Sequence, residues 1–308
     1  MAVLVGVAVL VASVPAAAQQ RGRPEPSPAE FAIATGRFAE AEAALFAAVS
    51  AAPREPSARG ALGAFLAARG RFLVGTVLLD EAVRFGADTA TVQSRQLEIF
   101  RWAGEFGRAA ALPAARMSGA EREAFQRSGL AAVSGARLVT VPLRPNELAG
   151  LGRIRIGIGD VELDADIDPS LPGLFLPSTL EIATAVEPTG ASGDTTFAVA
   201  QWLKFGGLRL GPVPVALIPG RAVARIGLNL LGRLTPTFGS GELTLRADPP
   251  SVAAGESWPV MLMFPGITLV PGTGAAPVML HQAAGRAVLR GREWTLDLSK
   301  GEIAVTPR

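Results

Sequence analysis

The sequence predicts a multi-domain α + β chain, helical in its N-terminal part and all-β in its C-terminal part. Three observations carry this reading. The triplets Gly36-Arg37-Phe38, Gly70-Arg71-Phe72 and Gly104-Glu105-Phe106 recur with a spacing of 34 residues, a period that belongs to stacked helix pairs. From Ala136 onward, short apolar runs alternate with Gly and Pro, the texture of strands and turns. Between Asp160 and Asp168, acidic and apolar residues alternate strictly, as in a strand with one buried and one polar face.

The chain has 308 residues, enough for two domains. Its net charge is only +2, and no dense basic run with interleaved aromatics appears, so no nucleic acid is expected as a partner. The high isoelectric point follows from the absence of Cys and Tyr, which leaves Arg and Lys to titrate above neutrality. The lack of Cys excludes disulfides and thiol chemistry.

Residues 2–14 are almost purely apolar and Ala16-Ala17-Ala18 offers a small-residue cleavage site. Residues 1–18 therefore read as a secretory signal peptide, too short to span a membrane comfortably. The missing basic n-region points to a start further upstream. No Cys follows for a lipid anchor. The expectation is export, to a bacterial periplasm, with a mature end near Gln19 and no membrane attachment after cleavage. The Pro-rich stretch 19–28 reads as a disordered lead-in.

Residues 29–128 read as the helical domain. Around the Gly-x-Phe triplets, Ala41, Leu45, Ala48 and Pro53 fall at packing and terminating positions of the first unit. Leu62, Gly63, Leu66, Leu79 and Ala82 do so in the second, and Phe100 and Ala109 in the third. Small residues let paired helices approach, and the Gly makes the turn between them. Residues 29–113 thus resemble tetratricopeptide repeats, about two and a half units. Such arrays hold peptides or protein partners on a concave face, so a peptide or protein ligand is the expected partner. Ser118-Gly-Ala-Glu121 is a capping box that starts a short helix to about Arg127.

Residues 136–308 read as an all-β domain, with a core lobe at 136–247 and additional strands at 248–308. Leu138–Val141 opens it. Arg153–Ile156 and Val161–Ile167 form a hairpin around Gly157-Ile-Gly-Asp160. Strands follow at 197–203, 208–210, 213–218 and 243–245, then at 260–264, 267–270, 278–280, 287–289, 294–298 and 303–305. Short strands at this spacing make a small barrel or sandwich.

The alternation stops at Asp168, because Pro169 has no N–H to give to a ladder. Leu174-Phe-Leu176 and Pro177 follow. This strand, acidic turn and apolar run resemble the active-site turn of retropepsin-like aspartic proteases, and Ile226-Gly-Leu-Asn-Leu-Leu231 is similar to that family's apolar-apolar-Gly segment. The resemblance implies a retropepsin-like barrel with Asp168 as its catalytic residue. It also implies a second Asp sharing a proton with the first, which either a homodimer through the β domain or a second lobe would supply. Pro169 and Ser170 stand where the family has Thr and Gly, so the turn is degenerate. Thr189-Gly-Ala-Ser-Gly193 spells the family signature, but Pro188 precedes it, and it reads as a flap loop. Asp297-Leu-Ser-Lys-Gly301 reads as a hairpin turn.

Other chemistries find no residues. Asp164, Asp166 and Asp168 imitate the start of a calcium loop, but Pro169 and Phe175 stand where Gly and Glu are needed. On a strand these carboxylates are also about 7 Å apart. His281 is the only His, which leaves a zinc site without ligands and a Ser-His triad without a Gly-x-Ser-x-Gly elbow. No phosphate-binding Gly loop opens a helix. No metal or cofactor is expected. The functional expectation is an aspartic protease domain acting on peptides. The alternative is a non-catalytic periplasmic scaffold using the repeats and a protease-like groove.

Overall fold

The structure is a computed structural model that describes residues 25–146, 150–248, 255–262, 266–272 and 274–306. The signal-peptide expectation, and most of the lead-in, lie outside the described residues.

The N-terminal region is helical. Helices α1 (Pro28–Ala34) and α2 (Phe38–Ala51), α3 (Pro56–Ala68) and α4 (Phe72–Arg84), and α5 (Thr89–Ala103) and α6 (Phe106–Ala110) follow as pairs. A Gly-x-Phe triplet sits between the members of each pair. Gly36, Gly70 and Gly104 take φ values of 74°, 81° and 68°, which glycine adopts without steric penalty. The Phe of each triplet opens the next helix, and Phe38 and Phe106 are buried. Of the other repeat positions, Ala41, Leu45, Leu62, Leu66, Leu79, Ala82, Phe100 and Ala109 are buried, whereas Ala48 is exposed. Helix α7 (Gly119–Ser128) leads to the strands. Its capping box is half formed. Ser118 Oγ accepts from Glu121 N at 3.1 Å, but the Glu121 carboxylate turns away to Arg101.

The C-terminal region is a β-rich pair of curled sheets. Strands β1 (Ala132–Gly135), β2 (Leu138–Pro142), β3 (Arg153–Ile158), β4 (Val161–Asp168) and β5 (Leu174–Pro177) come first, then the short helix α8 (Leu180–Thr184). Strands β6 (Glu187–Ser192), β7 (Thr195–Ala200), β8 (Leu203–Phe205), β9 (Leu208–Gly211), β10 (Val213–Ile218) and β11 (Ala224–Gly227) lead to α9 (Leu228–Leu231). After it come β12 (Thr237–Phe238), β13 (Glu242–Arg246), β14 (Glu256–Leu262), β15 (Ile267–Leu269) and β16 (Val278–Met279), then α10 (Ala283–Leu289), β17 (Trp294–Asp297) and β18 (Glu302–Val305). One sheet has the order β1-β9-β8-β3-β4-β11-β5-β10-β7-β6 and the other β16-β15-β14-β18-β17-β12-β13-β2.

The strand expected at Leu138–Val141 is present, but it lies outside the sheet that carries Asp168. It pairs with β13, Val141 opposite Leu243, in the other sheet, because that partner buries both Val141 and Leu243. Residues 287–289 are not a strand but the end of α10. The run Ala-Ala-Gly-Arg-Ala-Val-Leu buries Gly285 and Leu289, four apart as on one helix face.

The helical and β regions share one hydrophobic core, in which Leu97, Phe100, Trp102 and Phe106 join Ile154, Leu230 and Leu298. Polar contacts lock the junction. Arg69 donates to Gly301 O at 2.7 Å, Asn229 Nδ2 to Arg101 O at 2.9 Å, and Arg233 to Ala103 O at 2.6 Å. Gly70 sits in this seam, where a Cβ would lie 1.8 Å from Leu298 O. Gly70→Ala is therefore expected to cost about 3–5 kcal/mol through clash and φ strain. Gly220→Ala, with a φ of +72° but nothing within 4 Å, should cost about 1 kcal/mol. Urea unfolding of the two variants checks the difference.

Candidate functional site

Strand β4 carries the acidic row. Ala165 and Ile167 are fully buried while Glu162 faces solvent. The neighbouring strand β3 answers the carboxylates with arginines. Arg153 stands opposite Asp166 in register, and its Nε donates to Asp166 Oδ1 at 2.6 Å. That hydrogen bond pushes the Arg153 pKa up, with the Asp166 and Asp164 charges adding to it. Asp164 pairs with Arg144 and lies 3.5 Å from Arg155. The carboxylates that imitate a calcium loop are thus engaged by guanidinium groups. Among the described residues no group of three or more His, Asp or Glu is arranged to hold a metal ion.

Asp168 ends β4 and is 8 % exposed. Strand β11 enters between β4 and β5. It runs parallel to β4, with Gly227 opposite Asp168, and antiparallel to β5. Behind the turn there is no room for a side chain on Gly227, because a Cβ would lie 2.0 Å from Leu171 O. Asp168 Oδ1 accepts from Ser170 N at 2.9 Å and from Ser170 Oγ at 2.6 Å. Its Oδ2 lies 3.3 Å from Arg225. Burial lowers the pKa of the nearby Arg221, with the Arg225 charge lowering it further and the Asp168 charge working against both. The carboxylate is therefore held by a hydroxyl, a backbone amide and a guanidinium, whereas a peptide-cleaving dyad needs a second carboxyl group sharing one proton.

The other sheet closes on the same turn. A Cβ on Gly266, just before β15, would lie 2.9 Å from Pro169 O and 3.0 Å from His281 Nδ1. That His281 nitrogen is buried without a hydrogen-bond partner. The expected flap, Thr189–Gly193, falls in the β6–β7 hairpin. It is tied to α7, where Thr189 Oγ1 donates to Ala120 O at 2.9 Å.

Asp297 repeats the local chemistry of Asp168 at the β17–β18 hairpin turn. Ser299 donates from its N at 3.0 Å and its Oγ at 2.6 Å, Lys300 N donates at 3.2 Å, and Lys300 Nζ is 3.1 Å from Oδ2. Burial pushes the Asp297 pKa up, but the Ser299 and Lys300 hydrogen bonds together outweigh it and hold the carboxyl below its ordinary value. This turn leans on the helical region through Leu298 O and Gly70, while the Asp168 turn leans on Gly227 and Gly266. Among the described residues, no hydrogen bond or ion pair joins the two aspartates to each other or to any other carboxylate.

A second feature lies in the helical region, for which the repeat resemblance implied a ligand-holding concave face. A cavity of about 690 Å³ runs across α1, α3 and α5 and the end of β14. Its walls include Ile33, Ala64, Phe65, Ile99, Trp102 and Met261. Glu98 also lines it. Burial pushes the Glu98 pKa up, against the Arg101 charge 3.0 Å away, and Oε2 has no hydrogen-bond partner.

No family model matches the chain, and no curated protein matches it. Among solved structures, a retropepsin-like aspartic protease from Rickettsia conorii is similar at 12% identity and a TM-score of 0.29, over 37% of this chain and 91% of that one.

Proposed function

We propose that this chain is a binding protein with a retropepsin-like β region. It holds a peptide or protein segment in the cavity across α1, α3 and α5 and does not cleave peptides as a single chain. The observation that carries the reading is that cavity. It is large, mostly apolar, and crosses the first helix of each Gly-x-Phe pair, as the concave face of a tetratricopeptide-like array would. An apolar cleft with a few placed polar groups is what a ligand site requires. The state of Asp168 supports the lack of cleavage, since its oxygens are occupied by Ser170 and Arg225. Binding of a fluorescent peptide pool tests the proposal. Ala64→Trp, which fills the cleft, should weaken retention about ten-fold or more, while Asp168→Asn should leave it unchanged. The reverse pattern would overturn it.

One observation favours a second reading, an acid protease formed by two chains. Asp168 closes a strand beside the inserted β11, and each copy would bring one aspartate. Such activity would rise steeply with protein concentration, because the dimer follows mass action.

Export belongs to the same proposal, on the strength of the apolar 2–14 run and Ala16-Ala17-Ala18. N-terminal sequencing of the protein from an extracytoplasmic fraction should begin near Gln19. An intact chain recovered from the cytosol would contradict it.

A further inference from the structure

A separate cavity of about 390 Å³ lies between residues 143–146 and 150–152, the β12–β13 turn, and the end of α10 with the segment that follows it. Four arginines line it, Arg144, Arg286, Arg290 and Arg292, and among the described residues no Asp or Glu does. The rest of the wall is rich in glycine backbone. Three carboxylates stand nearby among the described residues. Asp164 is engaged by Arg144, and Glu242 and Glu293 lie beside Gly239 at the wall. The other three guanidinium groups have no carboxylate partner among the described residues. Arg286 donates to the backbone oxygen of His281. Arg292 lies 5.3 Å over the Trp258 ring, and its Nε is buried with no hydrogen-bond partner. Arg290 is exposed, and while its backbone N–H donates to Ala287 O at 3.3 Å, its guanidinium makes no hydrogen bond or ion pair among the described residues.

Gathering like charges in a concave wall raises the potential inside it and concentrates counter-ions there. An oxyanion in the cavity relieves this repulsion. Guanidinium forks match the paired oxygens of carboxylate and phosphate groups, and they do so better than ammonium groups. We propose that this cavity is a binding site for a small molecule carrying phosphate or carboxylate groups with at least two negative charges. The inference does not rest on the helical groove or on Asp168.

Calorimetric titration tests it, with inorganic phosphate and with citrate as separate probes and sodium chloride at matched ionic strength as the control. Each probe that binds should do so more tightly than about 1 mM. Arg290→Gln should weaken it at least ten-fold, while Arg209→Gln, an exposed arginine elsewhere, should not. Arg290→Gln should melt at the wild-type temperature without anion, since Arg290 makes no bond that it would lose. Phosphate binding alone would identify a phosphate ester as the ligand class, citrate alone a polycarboxylate, and both the shared chemistry. Binding no stronger than the chloride control, or equal loss in both variants, would overturn the proposal.

Discussion

Gly227→Ala is expected to destabilise the protein by about 3–5 kcal/mol, the range of severe core disruption. The backbone there is ordinary, with a φ of −78° that suits any residue, so the cost is purely one of space. A Cβ would lie 2.0 Å from Leu171 O, 2.7 Å from Asn229 Oδ1 and 2.9 Å from Gly173 N. Two of these three atoms are main chain. Relief would require moving the Asp168 turn off β11 and breaking the Gly227 N to Gly173 O bond of 2.7 Å. Urea unfolding measures the loss. A cost under about 1 kcal/mol would mean that β11 does not pack against the turn as described.

Asp297→Asn is expected to cost about 3 kcal/mol at neutral pH, because the carboxylate receives charge-assisted bonds from Ser299 and an ion pair from Lys300. The effect has a defined pH dependence. The folded pKa of Asp297 is depressed, so its contribution is fully present above the ordinary carboxylate value of about 4. It is lost as pH falls through the lower folded value. Stability curves of wild type and variant should therefore run apart at neutral pH and converge as the solution is acidified below about 4. Parallel curves down to the lowest pH would show that the ionised carboxylate is not the stabilising species.

Much of this arrangement is local and therefore legible in the residues. The glycines of the 34-residue period require a left-handed turn, and that requirement is visible in the triplets themselves. The alternation from Asp160 to Asp168 fixes which side of β4 is buried, because the pleat has a period of two. The Asp297 turn was readable from Ser-Lys-Gly. What escaped the sequence is long-range. Nothing in Leu138–Val141 states that its partner is β13 rather than a strand of the Asp168 sheet. Ala287–Leu289 is too short an apolar run for periodicity to separate strand from helix. Arg225 is distant in sequence from Asp168, and only β11 slipping between β4 and β5 brings them together. Arg286, Arg290 and Arg292 are too scattered to read as a basic run, and Arg144 reaches them from another strand connection. The groove depends on the stacking of three helix pairs, which no single segment encodes.

The central claim is that this chain binds peptide without cutting it. The direct measurement is to incubate the purified protein with a defined peptide library from pH 3 to 7, separate it by size exclusion, and analyse the protein fraction and the unbound fraction by mass spectrometry. The account predicts intact peptides retained with the protein, lost in Ala64→Trp and kept in Asp168→Asn, with no new peptide ends at any pH. Acid-dependent cleavage products from the wild type that disappear in Asp168→Asn would contradict it.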